Sequence, residues 1–481
     1  MSQPDTEKDV PQVEEVDFAD DPEAVKKLLR KCDWHIVPIL FVLFVLSFMD
    51  RINIGNARLQ GLEKDLNMSG HQFNIALFIF FIPYILLEVP SNLILKRVAP
   101  STWLSGIMLG WGIISVFQGV TNNFAGLVVC RFILGVFEAG FVPGCAYLIS
   151  MYYKRHEVQI RFNLWFSASI IAGAFSGLFA YAVANMDGVG GYAAWRWIFI
   201  IEGLITVVVA VISKFLIVDW PETSKFLTED ERKLLLSRLA EENKGAGMSR
   251  LDKAAVKRSF SDVKIYLGIL MYAGIVNSSY ATSFFTPTIL RQLGWTAIRA
   301  QVMTIPVFVT ATVTTIIAAI FSDRLRHRFG FILAGCVVTT VGYIILFMQQ
   351  HVAVGVRYFA LFAITSGAYL AHPITMTWLT NNMGGHYKRA IGSSMQIGIG
   401  NCGGLIASNV FLDHEKPLYH TGFGVSLALI WMAGVAAVVN LLYVRRENRI
   451  RDAGGRDHLY SLAEEELGNL GDDHPSFRFV Y

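Results

Sequence analysis

Charge is scarce in this chain. Asp, Glu, Lys and Arg make up 16% of its 481 residues, against roughly 25% in soluble domains. A soluble chain of this length cannot clothe its surface with so little charge, which excludes a cytosolic enzyme. Cysteine is also sparse. Cys32, Cys130, Cys145, Cys336 and Cys402 are odd in number and sit in or beside apolar stretches, so they read as small packing residues and not as a disulfide framework. Neither a metal-ligand cluster nor a nucleophile–base spacing is visible, so neither an enzyme nor a cofactor is expected. Disorder and collagen are excluded by what is abundant: 53% hydrophobic residues and a mean hydropathy of +0.45. What remains is an all-α, polytopic membrane protein. About 20 residues cross a bilayer, so the length accommodates twelve spans with short loops.

Apolar runs fall near 33–56, 73–95, 102–120, 124–149, 162–185 and 196–216, then near 264–290, 301–321, 330–349, 356–378, 390–411 and 422–443. These predict a disordered acidic tail over 1–30, a six-helix bundle over 31–216, a polar linker over 217–263, a second bundle over 264–443 and a tail over 444–481. In the linker, Thr228-Glu229-Asp230-Glu231 followed by Arg232–Leu239 predicts a capped amphipathic helix along the membrane surface. With an even number of spans both ends share one side. The loops on that side carry most of the 41 basic residues, the opposite loops only Arg58, Lys64, Arg196, Arg291, Arg299, Arg357 and Lys416. Both termini are therefore expected in the cytoplasm, and the long acidic flank before the first span does not read as a cleavable signal peptide.

Sliding the chain by 227 residues lays Gly173, Gly177 and Ala180 on Gly400, Gly404 and Ala407, and also Arg97 on Arg324, Phe132 on Phe359, Gly140 on Gly367 and Asp50 on Asn277. One offset serving four pairs of spans points to two six-helix, pseudo-symmetric repeats. That architecture puts a substrate site at the midplane between the halves. The paired glycines predict close backbone approach in spans 5 and 11, for tight packing or for rocking of one helix on another.

Four ionisable residues stand where a bland span has none: Asp50 and Arg51 in span 1, Arg131 and Glu138 in span 4. Each costs about 2.5–3.5 kcal/mol at a helix centre. From the rise per residue, Asp50 lies ~25 Å above the cytoplasmic side and Arg131 ~10 Å below the opposite one, so the two can meet. Two uses are open. Asp50 and Arg131 lock two helices as a buried ion pair, or a carboxylate alternates between protonated and paired states while an arginine binds an anion, a coupling with reciprocal linkage. The second half holds neutral polar residues instead: Asn277, Tyr280 and Thr282 in span 7, His372 and Trp378 in span 10, Gln396 and Asn401 in span 11. His372 precedes Pro373 and does not read as a metal ligand. In the elbow after span 8, Asp323 and Arg324 are placed to latch neighbouring helices.

The chain resembles major facilitator superfamily transporters of the anion:cation symporter family, in particular the fungal allantoate, nicotinate and pantothenate permeases. The resemblance runs from about residue 30 to 446. It is carried by Phe48-Met-Asp50-Arg51-Ile-Asn53, Glu88-Val-Pro-Ser-Asn92, Arg131-Phe-Ile-Leu-Gly135-Val-Phe-Glu138-Ala-Gly140, Trp195-Arg196-Trp197, Glu202-Gly203 and Pro221-Glu222-Thr223. It implies that Asp50 and Glu138 couple protons, that Arg51 and Arg131 handle anionic charge, and that Tyr84, Ser169 and Asn401 contact substrate. The family's Gly-x-x-x-Asp-Arg loop after span 2 is replaced by Asn92-Leu-Ile-Leu-Lys96-Arg97, which lacks the acid. Of the expected cytoplasmic gate (Lys96, Arg97, Asp323, Arg324), the second-half copy is thus better preserved. Span 5 lacks the Gly-Pro element of drug:proton antiporters.

The expected function is proton symport of a small organic carboxylate by alternating access, in a monomer of the plasma membrane whose partners are the anion, protons and lipid, and not nucleic acid. An exporter working by antiport and a nutrient sensor that binds without flux are the alternatives. One proton per monovalent anion is electroneutral. Drawing on the membrane potential, about 2.3 kcal/mol per charge per 100 mV, takes a second proton.

Overall fold

The computed structural model describes residues 22–95, 97–244, 253–325, 327–384, 386–463, 466–467 and 469–481. Among them there is no strand. Nine helices are long and apolar enough to cross a membrane: α1 (Pro22–Leu59), α3 (Pro100–Gly119), α4 (Phe124–Tyr152), α5 (Ile160–Ala184), α6 (Ala194–Leu216), α8 (Ala297–Ser322), α9 (Arg328–Phe347), α10 (Val354–Asn381) and α12 (His420–Asp452). Three more complete the twelve: α2 (Gln72–Leu95), α7 (Val263–Gln292) and α11 (His386–Gly400 continued by Cys402–Val410). Helix α7 is less apolar for a physical reason. It is buried along nearly all its length, from Ile275 through Leu290, so protein and not lipid surrounds its Asn, Ser and Thr side chains. Leu86, Leu204, Val208, Phe215, Trp431, Val435 and Leu442 instead point outward as an exposed apolar belt, which a lipid environment covers.

The repeat read from the sequence appears in space. The halves meet along two seams, α5 against α8 and α2 against α11, and the 227-residue offset carries one pair onto the other. Gly177 faces the first seam, where an added Cβ would stand 2.4 Å from Thr304 Oγ1 and 2.7 Å from the Gln301 carbonyl. Gly404 faces the second, 2.5 Å from the Phe81 ring. Only glycine permits helices from different halves to approach this closely.

Four spanning helices are interrupted: α1 at Asn53, α4 at Ala139–Gly140, α5 at Ser167 and α11 at Asn401. Backbone angles stay near the right-handed region, as at Asn401 (φ −63, ψ −9), so the hydrogen-bond ladder slips without the chain turning. Each interruption lies within three residues of a predicted site residue. Loosened backbone at membrane depth is tolerated where it borders a cavity.

Twelve spans, an even number, bring the two ends of the described chain to one face. The first helix starts at Pro22, so residues 22–30 are helical and not part of a disordered acidic tail; residues 1–21 lie outside the described ones. In the linker, Thr228 Oγ1 accepts from the Glu231 N–H (3.3 Å) and Glu231 returns a bond to the Thr228 N–H (2.9 Å), the predicted capping box. This helix, Glu229–Lys244, is fastened to the first half by Lys31–Glu231 (2.6 Å) and Arg238–Glu157 (2.7 Å).

The segment expected as a tail from residue 444 is different. Helix α12 runs on to Asp452, and the last residues fold back onto the second half. Asp472 is fully buried and pairs with Lys264 (2.8 Å) and Lys388 (2.8 Å), both of which also reach Asp262. Asn382 and Asn448 bond the backbone of Val480 and Phe479 on both sides, and the Tyr481 carbonyl accepts from the Arg328 N–H (2.6 Å). Burial pushes the Asp472 carboxyl up, but Lys264 and Lys388 outweigh it and hold it below the usual aspartate value. A depressed carboxylate stabilises docking above its unfolded pKa of about 3.9 and loses that contribution as pH falls through the folded value. The tail is therefore expected to resist limited proteolysis from pH 8 to 5 and to be cut only in stronger acid. Asp472→Asn leaves two buried lysines underpaired, a cost of about 3–5 kcal/mol, and should expose the tail to protease already at pH 7.

Candidate functional site

The site is built around Arg51, the last basic residue before α1 slips at Asn53. Its guanidinium donates to Glu138 Oε2 through Nε (3.1 Å) and Nη2 (2.6 Å), and through Nη1 to the Tyr280 hydroxyl (2.6 Å). It also lies over the rings of Tyr84 (4.7 Å) and Phe80 (5.0 Å). Glu138 belongs to the first half and Tyr280 to the second, so one side chain joins both halves at mid-depth. The Arg51–Glu138 pair is almost completely buried, 4% and 0% exposed. Breaking such a pair leaves an uncompensated charge.

Asp50 does not pair with Arg131. Its carboxylate accepts from Trp111 Nε1 (3.2 Å) and Ser115 Oγ (2.9 Å) on α3 and from Thr206 Oγ1 (3.1 Å) on α6. The buried ion pair between α1 and α4 exists, but its members are Arg51 and Glu138. Arg131 donates to the Arg51 carbonyl (3.4 Å) and faces the Phe199 ring, while among the described residues its Nε and Nη2 have no hydrogen-bond partner. Glu138, Asp50 and Glu202 surround its charge at longer range. Glu202 on α6, not expected as a site residue, is buried and accepts from Asn53 Nδ2 (2.7 Å); Asn53 in turn accepts from Ser176 on α5 (2.7 Å).

On the terminal-face side of this cluster lies a cavity of about 30 Å³, walled by Phe44, Phe48, Arg51, Tyr84, Val142, Phe166 and Ser169 of the first half and by Tyr272, Ser279, Tyr280, Tyr369, His372, Ile397 and Asn401 of the second. A single water needs about 10–15 Å³ of such space, so the cavity has room for a few waters at most and the walls must part before a carboxylate enters. Of the sequence-predicted residues, the cavity brings together Arg51, Tyr84, Ser169, Tyr280, His372 and Asn401. Asp50, Glu138 and Arg131 sit behind Arg51. Asn277 is elsewhere, bonding Ser426 across the α7–α12 contact (2.9 Å). His372 is buried, with neither ring nitrogen hydrogen-bonded among the described residues, and is set among Phe166 (4.7 Å) and Tyr272 (4.9 Å). Among the described residues, no three His, Cys, Asp or Glu side chains converge as a metal site.

The face opposite the termini is sealed between the halves. Arg58 reaches Asp413 (2.5 Å) and Glu63 (2.7 Å), Asn74 donates to the Ser408 and Phe411 carbonyls, and Arg291 to the Leu59 carbonyl. Burial raises the Asp413 carboxyl, but Arg58 and Lys416 overrule it and hold it low, so this latch stays charged at ordinary pH and weakens only in acid. On the terminal face, Arg97 and Arg324 are exposed. Lys96 and the Asp323 side chain lie outside the described residues. The buried charge there is organised instead by Asp262, Lys264, Lys388 and Asp472 and by Glu157 with Arg238.

The sequence model of the Major Facilitator Superfamily matches residues 40–408. An MFS-type transporter of Penicillium expansum is 36% identical over 95% of this chain and 90% of its own. A high-affinity nicotinic acid transporter of Saccharomyces cerevisiae is 31% identical over 95% of this chain and 85% of its own. Among solved structures, a bacterial homolog of the human lysosomal transporter Spinster, inward-facing and unoccupied, superposes with a TM-score of 0.64 at 17% identity, covering 88% of this chain and 97% of that one. A twelve-helix membrane protein in two related halves, with its buried charges gathered where the halves meet, the chain belongs to the Major Facilitator Superfamily of transporters and is not an enzyme.

Proposed function

We propose that this transporter imports a small organic carboxylate by proton symport, both termini facing the cytoplasm of a cell whose plasma membrane it spans. The observation that carries this reading is the double tie of Arg51 to Glu138 and Tyr280 at the cavity wall. A substrate carboxylate offers a guanidinium a bidentate match through both of its oxygens, where Glu138 offers Oε2 alone. By taking Arg51, it frees Glu138 to accept a proton and releases Tyr280 in the other half, so anion and proton load together and each favours the other. Opening to the cytoplasm then separates the halves, hydrates the site and lets both depart. The cavity walls are largely aromatic, which suits a flat ring bearing a carboxylate, in keeping with the nicotinic acid transporter among the relatives.

The test is uptake of labelled nicotinate into proteoliposomes at varied external pH. Asp50→Asn combined with Glu138→Gln is expected to reduce the stimulation of uptake by an inward proton gradient, while exchange of nicotinate across the membrane continues. Stimulation equal to that of the wild type after the double change would defeat the coupling.

A further inference from the structure

One buried carboxylate takes no part in this mechanism. Glu88 on α2 is 1% exposed, and among the described residues neither of its oxygens has a hydrogen-bond partner. An ionised carboxylate is not left dry and unpaired in a protein interior. The cation nearest in effect, Arg51 on α1, is already held by Glu138 and Tyr280. The other titratable groups that face Glu88 are, among the described residues, Tyr84 on its own helix and Tyr272 and Tyr280 on α7; from α11 Gly398 lies against it, where an added Cβ would stand 3.4 Å from Oε2. The inventory of the first half's interior is also unbalanced. Around the site, four buried carboxylates, Asp50, Glu88, Glu138 and Glu202, are met by two buried guanidiniums, Arg51 and Arg131; the other buried arginines before α7, Arg58, Arg196 and Arg238, pair with Glu63 and Asp413, with Asp65 and with Glu157.

Position adds a second argument. Phe80, Tyr84 and Glu88 follow one another at the four-residue spacing that lines one face of a helix. Arg51 covers the first two. Glu88 therefore lies one turn beyond the Arg51 site, toward the terminal face, on the α2–α11 seam that must part when the molecule opens there.

We propose that Glu88 is a second proton-carrying group: dry and protonated while the seam is closed, it discharges its proton when α2 and α11 separate on the terminal face. Its proton arrives through the central cavity past Tyr84. With one proton on the Glu138–Asp50 cluster and one on Glu88, each monovalent anion enters with two protons and one net positive charge. This rests on the symport reading above and assigns it a stoichiometry.

The isosteric variant Glu88→Gln separates the two ideas. Full-length protein, wild type and E88Q, is first checked for monodispersity and thermal stability, and then compared by infrared spectroscopy at pH 7. The wild type should show the carbonyl stretch of a protonated carboxylic acid, and E88Q should lose that intensity. Proteoliposomes are next given an inward proton gradient with a potassium–valinomycin potential, using nicotinate as probe. In the wild type the accumulation ratio should rise about tenfold for ~60 mV of inside-negative potential; in E88Q it should stay driven by the proton gradient but not respond to voltage. An infrared band unchanged in E88Q, or a voltage response equal to wild type, overturns the assignment of Glu88. Wild-type uptake indifferent to the proton gradient overturns the symport reading and, with it, the two-proton stoichiometry, while the infrared comparison still decides by itself whether Glu88 holds a proton.

Discussion

Arg51→Ala is expected to cut carboxylate uptake at least a hundredfold. Glu138 is fully buried and takes both of its charge-assisted bonds from Arg51. Removing one member of such a pair costs about 3–5 kcal/mol, and each 1.4 kcal/mol is tenfold. The loss falls on two functions at once, because the same guanidinium is the proposed seat for the substrate anion and the tie to Tyr280. Arg51→Lys separates these. It restores a positive charge beside Glu138 but presents no planar fork to reach Glu138 and Tyr280 together. The lysine variant should therefore recover thermal stability and leave uptake more than tenfold down. Uptake in proteoliposomes, read beside a melting curve for each variant, checks both. Full transport by Arg51→Lys would show that charge alone suffices and that the fork geometry has no role.

Gly177→Leu is expected to stop transport by preventing one state rather than by harming the site. The α5–α8 seam is closed in this structure, with backbone and the Thr304 hydroxyl inside the volume of any side chain at position 177. Overpacking costs about 1–3 kcal/mol, and the cost applies only while the seam is shut. The equilibrium should move about 10–100-fold toward a form parted on the face opposite the termini. Gln60, whose amide reaches the Ala180 carbonyl at that face, offers a reporter. In a Gln60→Cys background, an impermeant maleimide should label the Gly177→Leu protein faster than its parent. Equal labelling with normal uptake would mean that this seam does not move during transport. Gly404→Leu acts on the symmetry-related seam against Phe81.

The charged quartet was legible in the sequence because a charge inside an apolar run is costly and stands out. Which charges meet was not. Rise per residue fixes depth, so Asp50 and Arg131 were placed at a similar level. Direction around the axis is a separate matter: at 3.6 residues per turn, neighbours point about 100° apart. Asp50 thus turns to α3 and α6, and Arg51 turns to Glu138 and Tyr280. Glu202 gave the same signal as Glu138, one acid in an otherwise apolar span, yet stood only among the motifs that carry the family resemblance. Glu88 did too. Asn277 shows the converse. A polar residue in a central helix looks like a ligand contact until its partner, Ser426, is seen on the neighbouring helix. The folded-back C-terminus had no periodic signal, since it is held by single side chains scattered over five helices. The twelve spans and the repeat, by contrast, rest on hydropathy and on one offset, which are properties of sequence alone.

The two clasps on the terminal face belong to different halves. The linker helix Glu229–Lys244 is pinned to the first by Lys31 and Glu157, and the C-terminal segment is pinned to the second by Lys264 and Lys388. The halves themselves meet through side chains and seams that depend on no particular peptide bond. Two polypeptides, made separately and divided within the linker between these clasps, should find each other in the membrane and reconstitute the cavity, because its walls are contributed by helices that lie wholly on one side of the cut or the other.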